Sequence, residues 1–143
     1  MSTLGDAIKA SASALGAERQ RIEVAVSNLA NAESTRGPDG QVYKRRDVVL
    51  ASQPTETFDL ALSRANATGV RVAAVLEDES APRRRFEPGH PDADQEGYVA
   101  LPNVDSAEEM VDMLSASRAY QANLTAINLI RDLVARALEL GRG

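Results

Sequence analysis

Apolar residues recur with helical spacing at the two ends of the chain and with strand-like patterning in its middle. Near the N-terminus, Ile8, Leu15, Ile22 and Leu29 stand seven residues apart. Leu4, Ala12, Ala25 and Val26 lie beside them, and Glu18, Arg19, Arg21 and Glu23 decorate the rest of the surface. This is the narrow stripe of a coiled-coil-like helix. It is expected to begin near Thr3, where Thr3 and Asp6 form a capping-box-like pair, and to end between Asn31 and Pro38 at a turn-forming Gly-Pro-Asp-Gly run. The C-terminal stripe advances in alternating steps of three and four residues through Met113, Ala116, Tyr120, Asn123, Ile127, Ile130, Val134 and Ala137. Asp105 and Ser106 offer a cap, Glu108 and Glu109 place negative charge where the helix dipole favours it, and Gly141 is a stop signal. At about 1.5 Å per residue, a helix over 105–140 spans roughly 50 Å and the N-terminal one about 40 Å.

The middle reads differently. Val42–Leu50 and Val70–Leu76 are β-branched-rich runs and Tyr98–Leu101 is a shorter one, separated by turn chemistry at Pro82, Pro88-Gly89 and Pro91. Thr57–Ala65 fits a strand or a helix equally well. The predicted class is α+β: two long terminal amphipathic helices pairing as an antiparallel coiled-coil-like hairpin, with a small β-rich middle segment. Residues 1–36 and 104–143 would form one helical core domain from both termini, and 37–103 an insertion. Two long helices with one stripe each cannot both be covered by so short a middle. They must pair with each other, with neighbouring subunits, or with both, and the pattern is compatible with each. Asn123 within the second stripe suits such a pairing, because a single buried Asn can set register.

Composition sharpens this picture. Hydrophobic residues make up 43% of the chain, yet there are only two Phe, three Tyr and no Trp. The core must therefore be built from aliphatic side chains, each burying little area at roughly 25 cal/mol per Å², so the chain alone should be marginal. A formal charge of −5 argues against nonspecific binding to nucleic acid or to an anionic membrane. Arg83-Arg84-Arg85 is too short to reverse that balance and reads as a solvated loop. The absence of cysteine excludes disulfides and thiolate chemistry. No run reaches the ~20 apolar residues of a membrane helix, and Gly5, Ser11 and Ser13 interrupt any signal-like stretch, so this pattern alone reads as cytoplasmic.

Candidate chemistry is sparse. His90, the single histidine, lies between Gly89 and Pro91 with no second imidazole nearby, and is expected to be a turn residue bonded to backbone. Asp92, Asp94 and Glu96 followed by Gly97 copy the first half of a calcium loop, and Val99 suits its eighth position. The twelfth position is Asn103 where a bidentate Glu is needed, and Pro102 precedes it, so the motif is incomplete. The triplets at Asn66 and Asn123 are short enough to arise by chance. No enzyme, metal or cofactor is expected.

The segment 27–35, Ser-Asn-Leu-Ala-Asn-Ala-Glu-Ser-Thr, resembles the N-terminal signature of the flagellar rod and hook axial proteins, with Ser27, Asn28, Leu29, Asn31 and Thr35 at matching positions. Residues 86–104, FEPGHPDADQEGYVALPNV, and 108–124, EEMVDMLSASRAYQANL, are similar to stretches of the proximal-rod members of that family. The resemblance implies a structural subunit of the proximal rod that carries torque toward the hook. It implies export by the flagellar type III apparatus without a cleaved signal, in a largely unfolded state, and ordering on joining the rod in the periplasm. Partners would be copies of itself, other rod proteins and adjacent axial proteins, with no nucleic acid and no direct membrane insertion. The assembly interface would comprise Ile8, Leu15, Ile22, Leu29, Met113, Tyr120, Asn123, Ile127, Ile130 and Val134. Asn28 and Asn31 would serve helix-end hydrogen bonding. The competing class is a cytoplasmic coiled-coil adaptor or export chaperone of the same system.

Overall fold

The computed structural model describes residues 2–37, 40–53 and 69–141, apart from the side chains of Ser2 and Thr3. The ambiguous stretch Thr57–Ala65 and the side-chain half of the Thr3 cap lie outside them. Helix α1 spans Ser2–Asn31. Strands β1 (Arg46–Ser52), β2 (Val70–Glu77), β3 (Arg83–Phe86) and β4 (Tyr98–Leu101) follow, and helix α2 spans Ser106–Leu140. The α+β class with long terminal helices is the one the chain adopts.

α2 starts where its cap chemistry dictates. Asp105 is extended, and its carboxylate accepts hydrogen bonds from the backbone N–H of Ala107 and Glu108. α1 winds down through local bonds: Asn31 Nδ2 donates to Ser27 O at 2.8 Å, and Ser34 N and Oγ both donate to Asn31 O. The helices run antiparallel, since Asn28 near the end of α1 meets Glu109 in the opening turns of α2. The buried apolar side chains of the two helices are small: Ala17, Ala25 and Ala32 of α1 and its tail, and Ala116 of α2. Small residues let the backbones approach closely, so they are covered completely while the larger Ile22 and Leu29 flank the seam half-buried.

β1 and β2 form one two-stranded antiparallel sheet with a bulge between Val49 and Leu50, and β3 and β4 form another. The first sheet packs on α1 and not on α2. Ser13 Oγ accepts from Val70 N at 2.9 Å at one end, and Asn28 bonds Arg46 at the other. Fifteen helical residues cover about 22 Å, and seven strand residues cover about 23 Å. The sheet therefore runs alongside α1 for half that helix. At Gly69 a Cβ would lie 2.8 Å from Ser13 Oγ, so this close approach requires glycine.

The chain departs from expectation in two strands. β1 begins at Arg46, not Val42. The residues before it are drawn toward the end of α1, where Tyr43 and Arg45 use their polar groups. Arg83–Phe86 is a strand and not a loop. Val99 and Leu101 of its partner strand are buried, which fixes that hairpin, while the arginines stay in water beside acids. Gly97, at φ +83°, makes the turn between them, and a side chain there would press on Phe86 and Pro88.

Candidate functional site

The most extensive buried polar arrangement among the described residues is the joint where α1, the approach to β1, and α2 meet. Asn28 is 1% exposed and Glu109 2%. Asn28 Nδ2 donates to Arg46 O at 2.8 Å while its Oδ1 accepts from Arg46 N at 2.9 Å, so the side-chain amide pairs with that residue's backbone as a neighbouring strand would. Nδ2 also donates to Glu109 Oε2 at 3.0 Å, and Oδ1 accepts from the Tyr43 hydroxyl at 2.9 Å. An amide has two donors and two acceptor lone pairs, and all four are in use. Tyr43 OH also lies 3.2 Å from Ser27 Oγ, and the Arg46 guanidinium sits over the Tyr43 ring.

Arg45 closes the arrangement. Its Nε donates to Glu109 Oε1 at 2.6 Å and its Nη1 to Asp47 at 2.7 Å. Burial works against the Arg45 charge, but the hydrogen bond to Glu109, with the fields of Asp47, Glu109 and Glu108, outweighs it and raises the pKa above its ordinary value. Among the described residues, no buried side-chain nitrogen or oxygen lacks a partner.

A second staple lies just beyond. Thr35 Oγ1 donates to Asp92 Oδ2 at 2.7 Å, Arg36 approaches the same carboxylate, and Arg85 pairs with Glu33 at 2.6 Å. These tie the tail of α1 to the β3–β4 hairpin. Asp94 accepts from Glu96 N and Tyr98 N and pairs with Arg84, which also reaches Glu96 and stacks over the Tyr98 ring. Two carboxylates of the incomplete calcium loop, Asp94 and Glu96, thus share Arg84, while Asp92 turns to Thr35 and Arg36. Among the described residues, no three His, Cys, Asp or Glu side chains gather as a metal site. His90 is the turn residue expected, its Nδ1 accepting from Asp92 N at 3.0 Å.

All ten predicted interface residues are half-buried. Ile8, Leu15, Ile22 and Leu29 are strung along α1, with Met113, Tyr120, Asn123, Ile127, Ile130 and Val134 along α2. Of the signature residues, Asn31 does bond the helix end, as expected. Asn28 does not: less than one turn from the helix end, its side chain lies on the packed face and reaches outward to Arg46 and Glu109. Asn123 donates to Ala119 O of its own helix, and among the described residues makes no hydrogen bond to α1. Glu109 is no mere first-turn acid but the buried centre of the joint. Nothing in the sequence pattern singled out Tyr43 or Arg45, whose roles depend on contacts 15 and 64 residues away.

Residues 8–38 match the family described as "Flagella basal body rod protein", and residues 95–140 match "Flagellar basal body rod FlgEFG protein C-terminal". The flagellar basal-body rod protein FlgC of Yersinia enterocolitica is 46% identical, over 91% of this chain and 92% of its own. The chain belongs to the FlgC family of flagellar basal-body rod proteins. The FlgC of Bacillus subtilis is 42% identical over 94% of this chain and 96% of its own, and that of Borreliella burgdorferi 39% over 98% and 99%. Membership of the FlgC family does not favour the adaptor or export-chaperone reading. It also gives the joint a setting, since Asn28 lies in one matched segment and Glu109 in the other. No helix among the described residues is long and apolar enough to cross a membrane.

Proposed function

We propose that the chain is a structural, non-catalytic subunit of the proximal rod, assembling with copies of itself and with neighbouring axial proteins to carry torque toward the hook. The observation that carries this is surface. The accessible area is 10098 Å², whereas a compact monomer of this mass exposes about 7,100 Å². The surplus, about 3,000 Å², exceeds the roughly 800 Å² per partner of one standard interface several times over. Much of it is apolar: Leu129, Leu133 and Leu138 on α2 are 59%, 60% and 66% exposed. A chain with this profile is built for several neighbours.

In this reading residues 1–36 and 104–143 form the axial core and 37–103 the insertion. The ten stripe residues close the hairpin and, at their half-exposed edges, meet adjoining subunits. The subunit leaves the cytoplasm through the flagellar type III apparatus without a cleaved signal and orders fully in the periplasmic rod. A cysteine-free chain without a large aromatic core suits passage in an unfolded state.

The test is an in-frame deletion in the source bacterium, complemented by the intact gene and imaged by electron cryotomography. Loss of swimming, with the membrane ring and export apparatus present but no rod, is the expected result. Normal rods and swimming, in a strain with no second copy of the gene, would overturn the assignment.

A further inference from the structure

The apolar seam does not specify its own alignment. Ile8, Leu15, Ile22 and Leu29 repeat every seven residues, so moving α1 one heptad along α2 lays the stripe back onto itself. The buried apolar residues of the helices are alanines, which interlock weakly. α2 has 35 residues against 30 in α1. A shift toward its C-terminus therefore covers Leu138, now exposed, in exchange for what is uncovered elsewhere.

The middle segment is divided between the two helices. The β1–β2 sheet is stitched to α1 at Ser13 and at Asn28, and travels with it. β4 leads directly into α2 through Pro102 and Asp105, and travels with that helix. The staples of Thr35 to Asp92 and of Glu33 to Arg85 join the loop after α1 to the β3–β4 hairpin, outside the helix seam. Among the described residues, a single hydrogen bond joins α1 to α2, from Asn28 Nδ2 to Glu109 Oε2, and Arg45 reinforces it from the α1 side. A one-heptad shift of α1 toward the α2 C-terminus would bring position 35, beyond the end of α1, opposite Glu109 in place of Asn28, and the opposite shift would bring Arg21, which pairs with Glu18 at 3.0 Å.

We propose that Glu109, held by Asn28 and Arg45, is a register lock: a buried polar contact satisfied in one alignment of the helices, which selects that alignment from its heptad-shifted alternatives. Glu109 acts as a positioning residue, through the helix it fixes. One heptad is about 10 Å of helix, so the lock sets how far the C-terminal leucines project beyond α1. That last consequence rests on the rod-subunit reading; the register itself does not.

The full chain has no cysteine, so labels can be placed unambiguously. Spin labels at Lys9→Cys and Arg118→Cys, both exposed positions, report the sliding coordinate by double electron–electron resonance. The otherwise wild-type chain is expected to show one distance, and Glu109→Gln, which keeps a hydrogen-bonding group in place, to retain it. Arg45→Met with Glu109→Met severs the link to α2 but leaves the Asn28 clamp on Arg46. It is expected to keep its helix content by circular dichroism and to gain a second distance displaced by about 10 Å. An unchanged single distance in that variant would overturn the proposal. Loss of its helix content would do so as well, since a lock of register leaves folding intact, and so would two distances in the wild-type chain. A deletion strain with normal rods would remove the proposed function and leave these distances standing.

Discussion

Asn28 shows how much one side chain can hold when every hydrogen-bonding site is used. Its replacement by Ala strips partners from Arg46 N–H, Arg46 C=O, the Tyr43 hydroxyl and Glu109 together. Each buried polar group left unpaired costs about 1–3 kcal/mol, so Asn28→Ala should lower stability by about 3 kcal/mol or more in urea unfolding. Arg45 and Glu109 give a sharper contrast. Arg45→Met leaves the Glu109 carboxylate buried without its cation and should cost about 3–5 kcal/mol. Adding Glu109→Met removes the stranded charge, and the double variant should recover most of that loss in the same assay.

At the scale of elements, the two helices and the small hairpin are held by different forces. Ala116 is fully buried where α1 and α2 approach. Ala116→Leu should overpack that seam and lower stability by about 1–3 kcal/mol, whereas the same change at exposed Ala122 should be nearly silent. The β3–β4 hairpin leans on electrostatics and backbone caps. Hydrogen bonding from the Tyr98 backbone, together with Arg84 and the Glu96 backbone, outweighs desolvation and holds Asp94 below its ordinary 3.8. A carboxyl depressed in the folded state stabilises fully above its unfolded pKa and loses that contribution as pH falls through the folded one. The Tyr98 amide should therefore lose protection from hydrogen exchange as pH drops below about 3.8. Asp94→Asn should remove that acid dependence.

For the whole molecule, buried and exposed apolar residues should separate folding from assembly. Ile127 is half-buried on the inner stripe, and Ile127→Asp should weaken both the hairpin and incorporation into the rod. Leu129 and Leu133 face water in the single chain. Changing both to Asp should leave thermal unfolding of the isolated chain within a few degrees of wild type, because exposed substitutions shift stability by only about 0.5 kcal/mol. If that face meets neighbours, the same variant should fail to restore swimming in a deletion strain. Normal swimming would remove the outer face of α2 from the interface.

Local chemistry was enough to reveal the helical termini, the Asp105 cap, the β4 strand and the His90 turn. Periodicity, capping and turn propensity act over a few residues, and the sequence displays them directly. Family membership was legible for a related reason, since its motifs are contiguous runs. The sequence could not show that Glu109 is buried, that Asn28 reaches for Arg46, or that Arg83–Phe86 pairs as a strand. Those outcomes depend on which distant groups the packed helices bring within 3 Å of one another, and a polar residue on a helix looks the same in sequence whether it meets water or a buried partner. The stripes called for a partner and left open whether it was the other helix or a neighbouring subunit; in the folded chain the helices meet. Only the tertiary contacts among Asn28, Arg45 and Glu109 distinguish one alignment from the next, because an apolar repeat is degenerate in register and a satisfied buried polar contact is not.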